Sequence, residues 1–203
     1  MGKKSASVSI DEGGKHAMKS YGKQILLDIY GVVCDPYQTF QLITSQSHWR
    51  EGIAVWILAM LFMIPQGILA DHGDSYFYGI TIGKAFWLLY LAAITHGVSR
   101  LFTKNGTFTG IFAGCCFSFI PQYIRGVVYA LPLIGNSWGG TFISVIMGIW
   151  SFILWIIAIQ CNYQLNWRKG LVVAIIPTII PILCIIGLFV GGIVFGIWVL
   201  SLF

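Results

Sequence analysis

Charged side chains are scarce in this sequence: Asp, Glu, Lys and Arg make up 9% of its 203 residues. A typical soluble domain has about 25%. Because 57% of the residues are hydrophobic, there are too few charges to cover the surface of a soluble domain of this size. This shortage excludes an ordinary soluble enzyme, a disordered chain and a nucleic-acid-binding module, and it predicts an integral membrane protein.

Acidic residues are missing altogether after Asp74, whereas six basic residues follow it. The bases are scattered between apolar runs and form no stripe that could follow a nucleic-acid backbone. No carboxylate pair is available within the apolar runs for hydrolysis or proton relay, and the HExxH, P-loop and GxSxG motifs are absent. The five cysteines contain no CxxC pair and are interpreted as small hydrophobic residues. We therefore predict neither an enzyme nor a bound metal or other cofactor.

Five long apolar runs dominate the rest of the chain: 52–70, 80–98, 108–134, 140–160 and 171–203. A helix needs roughly 20 residues to cross the hydrocarbon core, and lipid forces each run to satisfy its backbone internally. The predicted fold is therefore all-α, a polytopic bundle of five transmembrane helices over 52–203. Pro121 is predicted to kink the third run. The fifth run is predicted to be one helix kinked near Pro177 and Pro181, with a span followed by a re-entrant piece as the alternative.

Two segments precede the first run. Residues 1–24 are polar and are interpreted as a flexible cytoplasmic tail, and residues 25–51 as a cytoplasmic or interfacial amphipathic segment. Asp35 followed by Pro36 is a favourable helix start, with aspartate as the N-cap and proline in the first turn. We expect a short amphipathic helix there that lies on the membrane surface.

Basic residues alternate between the predicted loops. Six precede the first span, Arg100 and Lys104 follow the second, and Arg168 and Lys169 follow the fourth. The remaining two loops contain no Lys or Arg. Because cytoplasmic loops are enriched in Lys and Arg, this pattern predicts a cytoplasmic N-terminus and an external C-terminus.

Small residues recur at helical spacing in two of the runs, which allows membrane helices to approach closely. This pattern predicts packing within the protomer, and a homo-oligomeric face on the last span is the sharper alternative. The residues concerned are Gly106, Gly110 and Gly114, and then Gly187, Gly191, Gly192 and Gly196.

Lys84 and Arg125 are the charged residues inside the predicted spans. One interpretation has them extending outward to pair with Asp71 and Asp74. The functional alternative is a basic external pocket for an anionic solute or a lipid headgroup. His96 has no acidic partner within a span, and we interpret it as a hydrogen-bonded packing residue.

The order of several motifs resembles that of the Yip-domain (Ypt/Rab-interacting) membrane proteins, in their prokaryotic form. The matching features run from about residue 30 to about residue 195. Before and within the first half they are the Asp35–Phe40 stretch with Trp49, and the entry Gly106-Thr107-Phe108 with Ser118 and Pro121. In the second half they are Trp150 and Trp155 in the fourth run, and Trp167-Arg168-Lys169-Gly170 with Pro177. The resemblance implies a five-span bundle with a cytoplasmic N-terminus, in a prokaryotic cytoplasmic membrane. Eukaryotic relatives act in vesicle traffic and bind prenylated small GTPases and one another.

One motif departs from that family. Asp28-Ile29-Tyr30-Gly31 echoes the Asp-Leu-Tyr-Gly of the eukaryotic relatives, but Val32 stands where they have proline, which counts against GTPase binding. Our first hypothesis is a non-enzymatic protein that organises the membrane or partner proteins through its helix faces and N-terminal segment. Its expected partners are lipids, itself or other membrane proteins. The alternative is a small transporter or channel for an anionic solute or lipid headgroup that uses Lys84 and Arg125.

Overall fold

A computed structural model of the chain describes residues 10–46, 48–69, 74–129 and 138–200. The fold is all-α, as the sequence predicts, and the described residues outside helices form short connections. The helices are α1 (Ile10–Cys34), α2 (Pro36–Ser45), α3 (Trp49–Leu69), α4 (Asp74–Phe102), α5 (Phe108–Ser118), α6 (Ile120–Tyr129), α7 (Trp138–Tyr163) and α8 (Trp167–Leu200).

Three of the described helical segments are long and apolar enough to cross a membrane: Ile82–Phe102 in α4, Trp138–Tyr163 in α7 and Trp167–Phe195 in α8. The last belongs to a single helix that contains Pro177 and Pro181. Residues 182–195 of this helix are exposed along all their faces. Such a surface, apolar all round, suits lipid rather than water.

The third apolar run is not one continuous helix. It forms two helices that meet at Phe119, which has φ −87° and ψ 2°. The proline ring of Pro121 has no N–H and would collide with the carbonyl group four residues earlier. A new helix therefore begins at Ile120. The N–H groups of Gln122 and Tyr123 both donate to the Phe119 carbonyl.

Helix covers part of the N-terminal segment, whose flexibility stays a prediction. Helix α1 begins at Ile10 and runs to Cys34, so helix covers part of the segment 1–24; residues 1–9 lie outside the described part of the chain. Asp35 is the N-cap of α2, and its carboxylate accepts from the Gln38 N–H at 3.3 Å. The two helices pack on each other and are called here the N-terminal helix pair.

The buried residues in the described part of the chain form two clusters that share α5 and α7. One joins these helices to α4 and α8 through residues such as Leu91, Ile111 and Val173. The other joins them to α1, α2 and α3, and includes Val32 and Phe40, which are both fully buried. The apolar face of α2 therefore packs on protein, which differs from a helix that rests on lipid alone.

Glycines allow the closest approaches in this core. A Cβ on Gly114 would lie 2.9 Å from the Ala158 side chain on α7, and one on Gly106 or Gly110 would overlap α7 side chains. Gly187, Gly191 and Gly192 have nothing within 4 Å, and the surroundings of Gly196 are outside the described residues. The first glycine group thus packs within the protomer, whereas the homo-oligomeric role of the second stays a prediction.

Candidate functional site

The two basic connections lie side by side at one end of the bundle, called here the basic end. The α4–α5 connection contains Lys104, and the α7–α8 turn is followed by Arg168 and Lys169. Asn105 Nδ2 donates to Gln164 Oε1 across the two connections at 3.1 Å. The two basic connections are therefore adjacent in the fold.

A buried carboxamide fastens α5 to α7 at this end. Asn162 Nδ2 donates to the Thr107 carbonyl at 2.9 Å, and its Oδ1 accepts from the Thr107 N–H at 3.4 Å. Thr107 is also the N-cap of α5, and its hydroxyl oxygen accepts from the Gly110 N–H at 3.0 Å. This pairing satisfies backbone groups that a helix start otherwise leaves unpaired.

His96 and Arg100 complete the same junction. Arg100 Nε donates to His96 Nε2 at 3.4 Å, which fits the neutral tautomer whose Nδ1–H donates to the Tyr163 hydroxyl at 2.8 Å. Arg100 also donates to the carbonyl groups of Lys104 at 2.6 Å and Gly106 at 3.3 Å. His96 is therefore hydrogen-bonded between helices, and the Arg100 guanidinium is occupied by the loop that it holds.

A partly buried hydrogen bond between Asp28 and His48 holds the N-terminal helix pair to the start of α3. Asp28 Oδ2 lies 3.2 Å from Nδ1 of His48, and Gln24 Nε2 donates to Asp28 Oδ1 at 2.9 Å. Burial raises the pKa of the Asp28 carboxyl group, and the contacts with His48 and Gln24 oppose that rise. At Gly31 a Cβ would collide with the Thr39 side chain, so the Asp28–Gly31 motif serves the packing of α1 on α2.

Asp28→Asn should flatten the pH dependence of helix-pair docking. The pKa of the Asp28 carboxyl group is raised in the docked state. The docked state therefore binds more protons than the released state over a pH range that begins near the ordinary aspartate pKa of about 4. Wild-type docking should therefore weaken as pH rises through this range, up to the raised pKa. Hydrogen exchange of α1 amides, corrected for intrinsic rates at each pH, measures the effect. Equal pH slopes for wild type and variant would contradict it.

A wide groove lies between α2 and the α7–α8 turn and has a volume of about 1310 Å³. We call it the amide groove, because carboxamides predominate among its polar groups. The Cys161 thiol donates to the Tyr37 carbonyl at 3.6 Å between two of the lining residues. The polar lining residues are Tyr37, Gln38, Gln41, Ser45, Gln160, Gln164, Asn166 and Lys169, and Leu42, Cys161 and Leu165 supply apolar surface.

The outer side of α1 exposes large hydrophobic residues. Leu26, Leu27, Tyr30 and Val33 are 67%, 53%, 69% and 48% exposed, while Val32 on the other side is fully buried. Residues three and four apart share one helix face. These four residues form a continuous apolar surface, called here the α1 stripe.

The predicted ionisable pair lies away from the basic end. Lys84 in α4 and Arg125 in α6 are close enough to interact electrostatically, although the sequence places them 41 residues apart. Asp74 is the first residue of α4, and Asp71 is outside the described residues. In the described part of the chain no three His, Cys, Asp or Glu side chains are grouped so as to hold a metal ion.

The sequence did not indicate the amide groove or the pairing of Asp28 with His48. Carboxamides such as Gln41 and Gln160 resemble any other polar residue at a helix end, and 119 positions separate them. Asp28 carried the stronger signal, because it is a charged residue inside the apolar stretch Leu26-Leu27-Asp28-Ile29. Such a residue needs a buried partner, but the sequence does not say which.

The family model described as the Yip1 domain matches residues 30–189, which includes the second half of α1 and extends into α8. No curated protein and no solved structure matches the chain.

Proposed function

Because the chain belongs to the Yip1 domain family, on a match that spans residues 30–189, we propose that it organises partner membrane proteins and has no enzymatic activity. The N-terminal helix pair presents the partner-binding surface, and the bundle anchors that surface at the membrane. The α1 stripe carries this proposal, because an exposed row of large apolar side chains on a helix that packs against α2 is typical of an interaction site.

The proposed topology is five spans with the N-terminus in the cytoplasm, in the cytoplasmic membrane of a prokaryote. Helices α3, α4, α5 with α6, α7 and α8 make the five crossings, and the C-terminus is external. The proximity of the two basic connections supports this arrangement. Helix α2 then lies at the cytoplasmic interface, with Tyr37 and Leu42 exposed to the headgroup region.

Replacing Leu26 and Tyr30 together by serine should abolish partner binding, because both side chains are exposed and their loss leaves the buried face of α1 unchanged. The measurement is cross-linking in intact cells, purification in mild detergent, and identification of the membrane proteins attached to the chain. Leu101→Ser is the matched control, since Leu101 is 83% exposed at the end of α4 and outside the stripe. We expect wild type and control to recover the same membrane proteins. The double variant should recover at least about tenfold less of each of them.

If wild type, the Leu101→Ser control and the double variant recovered equal amounts of partner protein, the α1 stripe would not be the partner-binding surface. Transport of an anion is the competing function, and it would use Lys84 and Arg125. Flux of an anion into liposomes that is lost on Arg125→Leu, with insertion intact, would favour transport over organisation of partners.

Small GTPases are not the proposed partners. The Asp28–Gly31 motif packs α1 on α2 through Asp28 and Gly31, so two of its four residues are engaged inside the protein. The exposed Tyr30 belongs to the α1 stripe, and we propose that it contacts another membrane protein.

A further inference from the structure

The amide groove combines neutral hydrogen-bond donors with a single cation. Gln38, Gln41, Gln164 and Asn166 supply carboxamides, Lys169 supplies the charge, and no Asp or Glu is among the residues that line it. Asp35, which precedes α2, does not line the groove and caps the start of that helix. A cation without a carboxylate, surrounded by donors, favours an anionic ligand that also presents neutral polar groups.

The groove opens where the surface of α8 changes from polar to apolar. Lys169, Val172, Ile179 and Leu183 recur at spacings of three, four and seven residues, which places them on one face of the helix. The three apolar residues are 47%, 43% and 61% exposed, and no charged residue follows Lys169 in the sequence. A ligand whose charged head enters the groove could therefore lay an apolar tail along α8.

Trp167 indicates that the amide groove lies at the level of the lipid headgroups. It is half-exposed at the start of α8, and tryptophan is enriched where lipid headgroups meet the hydrocarbon core. The groove volume of about 1310 Å³ exceeds the roughly 300–1,000 Å³ of a usual small-molecule pocket. It has room for a headgroup together with the glycerol backbone and hydration water.

We propose that the amide groove binds the headgroup of one anionic phospholipid at the basic end of the bundle. The phosphate pairs with Lys169, the carboxamides from α2 and the α7–α8 turn contact the phosphate and the polar headgroup, and the acyl chains lie along Val172, Ile179 and Leu183. Basic pockets between membrane helices on the cytoplasmic side are suited to such headgroups. This site goes beyond the proposed function. It rests on the proposed topology but not on partner binding, because lipid binding is measured without any protein partner.

Native mass spectrometry of the full chain in a neutral maltoside detergent tests the proposal, with phosphatidylglycerol as the probe. Lys169→Gln should lower the affinity for the first phosphatidylglycerol about tenfold, because it removes a charge-assisted hydrogen bond. Arg168→Gln is the matched control: it removes the same charge from the adjacent position, which does not line the groove. The control should bind phosphatidylglycerol like wild type. Equal losses of affinity in the two variants would show that only the general surface charge matters, and would overturn the site.

Gln41→Glu gives a second measurement that leaves Lys169 intact. A carboxylate on the α2 wall should repel the phosphate and weaken binding at least about fivefold, whereas Gln46→Glu should not, because Gln46 lies outside the groove and glutamate can still accept from His48 Nε2. Phosphatidylcholine should bind weakly, and glycerol phosphate or inorganic phosphate should not displace phosphatidylglycerol at equal concentration. Equal binding of phosphatidylcholine, displacement by either soluble phosphate, or a bound polypeptide in place of lipid would each overturn the proposal.

Discussion

Phe40→Ala should release the N-terminal helix pair from the bundle, at a cost of about 3–5 kcal/mol for a buried aromatic side chain. Phe40 is fully buried in the cluster that joins α2 to α5 and α7, and α2 has only ten residues to hold it in place. Hydrogen exchange measured by mass spectrometry in detergent should show α1 and α2 amides exchanging at least roughly a hundredfold faster. Amides in α7 and α8 should keep their wild-type protection.

Leu26→Ala is the control for this measurement, because Leu26 is 67% exposed on α1 of the same helix pair. It should leave the exchange of α2 unchanged. If Phe40→Ala and Leu26→Ala gave the same protection, α2 would not be anchored by its buried face. Uniformly faster exchange in all helices would show instead that the helix pair and the bundle unfold as one unit.

Gly110→Val should destabilise the whole bundle by about 3 kcal/mol, the upper part of the usual range for an overpacked core position. A Cβ on Gly110 would overlap the Asn162 carboxamide oxygen and lie 2.9 Å from the Thr44 carbonyl oxygen. The larger side chain also separates Asn162 from Thr107, whose backbone groups it pairs. The melting temperature in detergent, followed by tryptophan fluorescence, should fall by several degrees.

Gly187→Val is the control that separates the close packing at Gly110 from a general effect of replacing glycine by valine in a helix. Gly187 lies in a long apolar helix and has nothing within 4 Å, so valine has space there. We expect a melting temperature close to that of wild type. Equal losses in the two variants would contradict the close approach of α5 to α7 at Gly110.

The two proposals share the N-terminal helix pair but depend on different sides of it. The α1 stripe faces outward, whereas α2 forms one wall of the amide groove. Phe40→Ala should therefore impair both lipid and partner binding. For this reason Lys169→Gln and the Leu26/Tyr30 double variant, which leave Phe40 in place, separate the lipid site from the partner surface.

Local signals in the sequence matched the structure where the deciding interaction is local. Asp35 with Pro36 begins a helix, because the cap and the first-turn proline act within three residues. The break in the third run shows the limit of such reasoning. Pro121 predicted a kink in the third run, yet hydropathy by itself predicted one continuous span. Apolar composition counts residues and does not follow the backbone hydrogen bonds that proline removes.

The sequence by itself determined that this protein is helical and belongs in a membrane, because apolar length and missing charge constrain any chain that enters lipid. It also indicated the family, through the order of its motifs. Only the tertiary structure decided what Asp28, His96 and Gly110 do, since their partners His48, Tyr163 and Asn162 lie 20 to 67 residues away. The amide groove exists for the same reason: helix packing brings α2 and the α7–α8 turn together, and no local pattern records that packing.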